Sequence, residues 1–83
     1  MRFVWDDQNT AHLAQHGVTR GLAERLFTAE DRLMFAVDDD PARFIIEGSV
    51  ETKTYRLVFA LVGFEEVYPI TMFLIAARRR RKA

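Results

Sequence analysis

The sequence predicts an α+β domain in the order β-α-α-β-β-β-β, with two short helices packed on one face of a twisted antiparallel sheet. Three observations lead there. Apolar residues recur at helical spacing only in the first third of the chain. After residue 32 they come in short runs separated by turn residues, as strands do. No connecting segment is long enough to divide the 83 residues into two domains, so all elements share one modest core.

Phe3-Val4-Trp5 is short and apolar and reads as a first strand. Asp6 or Asp7 offers an N-cap for a helix over residues 7–16, with Ala11, Leu13 and Ala14 as its apolar positions. That helix ends at Gly17, where a left-handed residue closes helices. Thr19 caps a second helix over residues 20–28, whose stripe is Leu22, Ala23, Leu26 and Phe27. Neither helix is long enough to be stable alone, so both must bury their stripes on the strands that follow.

Residues 33–37 form the next strand, and Asp38-Asp39-Asp40-Pro41 is a turn. Residues 43–47 form another, followed by the polar connection Glu51-Thr52-Lys53. Residues 55–62 are apolar at seven of eight positions, and a strand apolar on both faces is usually central in its sheet. Gly63-Phe64-Glu65-Glu66 is a hairpin turn into the last strand, residues 67–75. Pro69 cannot donate to a ladder, which places it at an edge, a bulge or the strand's beginning. Trp5, Phe27, Phe35, Phe44 and Phe59 fall on inward positions and read as packing, whereas Phe64 at a hairpin tip reads as a contact residue.

The composition excludes several classes. It is 49% hydrophobic, too apolar for a disordered chain. It has no cysteine, hence neither disulfides nor thiolate chemistry. No apolar stretch approaches the ~20 residues of a membrane span, and Met1-Arg2-Phe3-Val4-Trp5-Asp6-Asp7 lacks the apolar core of a signal peptide. The expectation is a cytoplasmic protein with no membrane partner. The net charge of zero hides a segregation: residues 1–77 hold seven basic and twelve acidic side chains, a net of −5, and Arg78, Arg79, Arg80, Arg81 and Lys82 restore the balance.

Few residues point to chemistry. His12 and His16 stand four apart on the first helix, a spacing that can share a metal, but the glutamate of the HExxH pattern is missing. The expectation is therefore no metal and no cofactor. Asp38, Asp39 and Asp40 read as a solvated turn without the spaced ligands of a calcium loop. Arg56 interrupts the apolar central strand. By alternation it points away from Tyr55, Leu57, Phe59 and Leu61, on a face that is either plain surface or a fixed cation for a phosphate. The basic run at 78–82 is either a clamp on a phosphate backbone or a solubilising tail. No GxGxxG, P-loop or GxSxG is present.

The opening residues are more specific. Phe3-Val4-Trp5-Asp6 and, further on, His16-Gly17-Val18-Thr19 resemble the start of BrnT-family toxins, in which a strand ending in Trp-Asp leads to a helix, then to His-Gly-Val/Ile-Ser/Thr, then to a helix rich in Ala, Leu and Phe. Ala23, Leu26 and Phe27 fit that second helix. The match covers about the first third, and the later part agrees in pattern: a hairpin, a strand opening on an arginine (Arg56), a last strand and then arginines. The resemblance implies a RelE-like fold over residues 1–77, with a basic tail at 78–83. It implies a bacterial ribonuclease toxin of a type II toxin–antitoxin system, acting on mRNA and neutralised by a small DNA-binding antitoxin, as a homo-oligomer or a hetero-oligomer with that partner. On this basis Arg56, Arg78, Arg79 and His16 are the catalytic residues, and Arg80, Arg81 and Lys82 are RNA-binding. Relatives carry an arginine in the last strand. If Thr71 matches the family serine, Phe73 replaces that arginine; if Ala76-Ala77-Arg78-Arg79 is matched instead, the arginines survive. The alternatives are a catalytically degenerate protein-binding module and a non-catalytic nucleic-acid binder working through the tail.

Overall fold

The computed structural model describes residues 1–37 and 39–77. Arg78, Arg79, Arg80, Arg81 and Lys82 lie outside them. Five strands and two helices follow in the expected order: β1 (Arg2–Phe3), α1 (Asp7–Ala14), α2 (Arg20–Leu26), β2 (Leu33–Val37), β3 (Asp40–Val50), β4 (Lys53–Gly63) and β5 (Glu66–Ala77).

Local chemistry sets the helix ends. Asp6 is the N-cap of α1: its carboxylate accepts the Asn9 amide at 2.8 Å, and the Asn9 side chain accepts the Asp6 amide at 2.9 Å. This reciprocal pair satisfies two amides that the first turn cannot. The far end closes through Gly17 at φ +73°, with Gly17 donating to the Ala14 carbonyl and Val18 to that of Leu13. This is the closure that glycine in the left-handed region permits. The flanking hydrophobics Leu13 and Val18 are both buried. Thr19 caps α2 by accepting the Leu22 amide at 3.2 Å.

The sheet order is β1-β5-β4-β3-β2. Strands β2 to β5 form an antiparallel meander with β4 at its centre, but β1 pairs parallel with β5 through Arg2↔Glu66 and Phe3↔Val67. The sheet is therefore mixed, not antiparallel throughout. The cause is the helical crossover: α1 and α2 carry the chain from β1 at one edge to β2 at the other, where β2 runs opposite to β1, and the three turns of the meander then bring β5 back in the direction of β1. The first strand is also shorter than its apolar run suggested, although the Val4 amide still donates to the Val67 carbonyl at 2.8 Å. Pro69 lies in β5 beyond the part paired with β1, at a shift of register between Val58 and Phe59.

The core gathers on the helix-bearing face. Leu13, Ala23, Leu26, Ile46, Leu57, Phe59, Val67 and Met72 are almost wholly buried. Phe27 stands edge-on between Phe3 and Phe59, at ring separations of 4.9 and 5.0 Å, and Phe44 stacks on Phe59 at 5.7 Å. Trp5 is fixed at the rim by donating to Glu24 at 2.9 Å beneath the Arg20 guanidinium. Phe35 does not join this core. It pairs with Ile45 on the opposite face and is 45% exposed, because β2 is an outer strand with β3 as its one neighbour among the described residues. Gly48 of β3 lies under the segment between α2 and β2, where an added Cβ would meet Ala29, Arg32 and Asp31 at 3.3 Å.

One polar residue is sealed inside. Asn9 is 2% exposed, and its amide nitrogen donates at 3.0 Å to both the Val4 and Pro69 carbonyls. It thus joins the end of β1, the start of α1 and the outer side of β5, with every hydrogen-bonding group matched as burial requires. Among the described residues, no helix is long and apolar enough to cross a membrane.

Candidate functional site

The face of the sheet away from the core carries the polar cluster. Successive residues of a strand point to opposite faces, so burial of Tyr55, Leu57 and Phe59 turns Arg56 outward. Pairing places Glu47 of β3 and Phe73 of β5 on either side of it, since Arg56 is the register partner of both. The Arg56 guanidinium donates through Nε to the Glu47 carboxylate at 2.6 Å. Its Cζ stands 6.0 Å from the centre of the Phe73 ring. A charge-assisted bond and a ring contact together hold an otherwise flexible side chain in one orientation. Glu47 and Arg56 remain 24% and 41% exposed, so solvent and ligands reach both.

Helix α1 brings histidines to the same place. Its end meets the β5 edge, where His16 lies 6.0 Å from Phe73, ring centre to ring centre. His12 follows one turn earlier, 6.1 Å from His16. Phe73 therefore stands between an imidazole and a guanidinium. Among the described residues, no cluster of three or more His, Asp or Glu side chains could enclose a metal ion around this pair.

The other end of α1 is fixed to the same strand. Tyr68 of β5 donates its hydroxyl to the Asp6 carboxylate at 2.9 Å. The Asn9 amide and then the Tyr68 hydroxyl hold the Asp6 carboxyl below its ordinary range, while the bond to Asp6 pushes the Tyr68 phenol up. His12, Gln8, Asn9, Tyr68 and Ile70 line a shallow cleft between these contacts. Helix α1 thus closes the β5 edge left free by the short β1.

Of the residues singled out in the sequence, Arg56 and His16 come together around Phe73. Arg78, Arg79, Arg80, Arg81 and Lys82 lie outside the described residues. Glu47 was missed. Its signal was the hairpin: once Glu51-Thr52 is the turn, counting back along one strand and forward along the other sets Glu47 opposite Arg56. Phe64, 92% exposed at the β4–β5 turn, occupies the tip position expected of it. Comparisons with protein-family models, curated proteins and solved structures returned no match for this chain.

Proposed function

We propose that this chain is the toxin of a bacterial type II toxin–antitoxin pair, a RelE-like endoribonuclease that cleaves mRNA in the cytoplasm and is restrained by a small DNA-binding antitoxin. The observation that carries the catalytic reading is the Glu47–Arg56–Phe73–His16 cluster on the sheet face away from the core. Cleavage of RNA by its own 2′-hydroxyl needs a base for that proton, a cation for the phosphorane and an acid for the leaving 5′-oxygen. A carboxylate, a guanidinium and an imidazole are the three groups assembled there. In this reading Glu47 takes the 2′-hydroxyl proton as the 2′-oxygen–phosphorus bond forms. Arg56 turns from Glu47 to the phosphate oxygens, and His16 protonates the 5′-oxygen as its bond to phosphorus breaks. Phe73 offers a ring on which a base can stack. The resemblance at Trp5-Asp6 and His16-Gly17-Val18-Thr19 supports the family side of the proposal.

A second reading has its own observation. The Arg56 charge is already matched by Glu47, which suits a binding module that has given up chemistry. Purified protein incubated with a defined mRNA separates the two. The toxin reading expects cleavage products ending in a 2′,3′-cyclic phosphate, growth arrest on expression, and loss of both in Arg56→Ala. Intact RNA after hours with folded protein, or undiminished cleavage by Arg56→Ala, overturns the catalytic assignment.

A further inference from the structure

Strand β2 presents an exposed apolar edge. Its five residues, Leu-Met-Phe-Ala-Val, include no charge and no proline. Leu33, Met34 and Phe35 are 60%, 54% and 45% exposed, and Ala36 is exposed as well. Among the described residues it is the terminal strand of the sheet, bonded to β3 on one side only. Outer strands of natural proteins are normally protected by charges, proline, bulges or a covering element. Among the described residues β2 has only the irregularity at Ala36/Val37, at its far end. Its core-side face continues into apolar surface, and on the other face Phe35 meets Ile45 while Leu33 meets Glu47. Met34 borders a groove shared with Met1, Phe27, Phe44, Phe59 and Leu61, while Leu33 and Phe35 lie on the opposite face.

The charge around this edge is lopsided. Glu30 and Asp31 precede it, and Asp39 and Asp40 follow it. Two arginines offset part of it, Arg43 at 3.2 Å from Asp40 and Arg32 on the Ala29 carbonyl at 2.9 Å, and Asp31 accepts the Ser49 amide, but five acidic against two basic side chains over residues 30–43 leave the edge at a net of −3. A second copy of the chain is therefore a poor occupant. Antiparallel self-pairing centred on Phe35 would set Asp31 opposite Asp39 and Glu30 opposite Asp40 at both ends, against one opposite-charge pair, Arg32 with Asp38, and edges of net like charge oppose pairing. An apolar strand with basic residues at its ends reverses the sign of those contacts.

We infer that β2 is a docking edge for an extended segment of a partner protein, apolar through its middle and flanked by Lys or Arg, which adds to the sheet as a sixth strand. Main-chain bonds to β2 supply affinity, and alternate side chains falling on Met34 or on Leu33 and Phe35 supply selectivity. The inference does not rest on the ribonuclease reading, although Leu33 of β2 pairs with Glu47 of β3: its test reads peptide binding and not cleavage.

The test uses the full chain and the synthetic peptide Lys-Arg-Val-Ile-Val-Thr-Val-Lys-Arg, with a control whose ends are Glu-Asp. The basic peptide should bind about tenfold or more tightly than the control, the gap narrowing with added salt. It should also slow amide hydrogen exchange within residues 33–37. Phe35→Lys should abolish binding with the circular dichroism spectrum unchanged, and Glu30→Lys with Asp39→Lys should reverse the preference between the peptides. Absent binding, equal affinities, or protection confined to other strands overturns the inference. So does a dimer of the free chain that protects residues 33–37 by itself, which would make a second copy the occupant.

Discussion

Arg56 and Glu47 face one another across the β3–β4 pair at 2.6 Å, each within reach of solvent. An ion pair so placed adds little to stability, at most about 1 kcal/mol. Its consequence lies in orientation: the carboxylate fixes where the guanidinium waits, and a bound phosphate has to compete for it.

That competition gives the first prediction. Glu47→Gln should lower single-turnover RNA cleavage by about 10²- to 10⁴-fold, the range for loss of a positioned base. The affinity for uncleaved RNA should hold or rise, because Arg56 is released to the phosphate. Rapid-quench cleavage beside fluorescence anisotropy reads the two effects separately. A parallel loss of binding and cleavage would instead make Glu47 a scaffold for Arg56.

Asn9 should matter more to stability than any surface ion pair. Asn9→Ala removes one arm of the cap and leaves the Val4 and Pro69 carbonyls without their donor. A cost of about 3 kcal/mol is expected. Asn9→Asp should cost at least as much at neutral pH, since a carboxylate cannot donate to either carbonyl. Urea unfolding followed by tryptophan fluorescence measures both, Trp5 being the sole tryptophan.

The Asp6–Tyr68 bond gives a pH dependence with a definite sign. The Asp6 carboxyl is lowered from its ordinary value of 3.8, so its contribution is present above that value and is lost as the pH falls through the folded-state value. The Tyr68 phenol is raised from 10.0, so its contribution is present below pH 10.0 and is lost as the pH rises beyond it. Asp6→Asn, which keeps a capping side chain, should flatten the acid limb of the melting temperature. Tyr68→Phe should flatten the alkaline limb. An acid limb unchanged in Asp6→Asn would show that other carboxyls govern it.

Glu51 occupies the left-handed region at φ 61° in the β3–β4 turn. This backbone costs an ordinary residue about 1–2 kcal/mol and glycine nearly nothing, although glycine gives back part of the gain as unfolded-state entropy. Among the described residues, the ion pair forfeited is an exposed one with Arg25 at 3.6 Å. Glu51→Gly should raise the melting temperature by about 2–6 °C, read by differential scanning calorimetry. A fall would show that the Arg25 contact outweighs the backbone term.

The sequence was most legible where the signal is local. Asp6, Gly17 and Thr19 mark helix ends by their own side chains or by lacking one, and each does so in the fold. The alternation around Arg56 gave its face because one side of a half-covered strand must be apolar. Features set by distant segments were not legible. The direction of β1 depends on which edge the crossover reaches. The exposure of Phe35 depends on β2 being outermost, and its apolar run resembles that of a covered strand. Asn9 reads as an ordinary polar helix residue until β5 arrives over it. The candidate site divides the same way: Arg56 was visible from its own strand, while Glu47 required the hairpin register.

The bond between Asn9 and Pro69 spans 60 positions of sequence, and β1 docks on the same strand. The first and last elements of the domain therefore depend on each other. Contacts so far apart are slow to form, because a long loop must close before they return any stability. Helix α1 has no outer strand to rest on until β5 has been synthesised, so a ribosome-bound chain lacking β5 holds His16 with no Phe73 beside it. The cluster proposed to act on RNA comes into being with β5, and an activity located there would be withheld from any chain on which β5 has not yet been made.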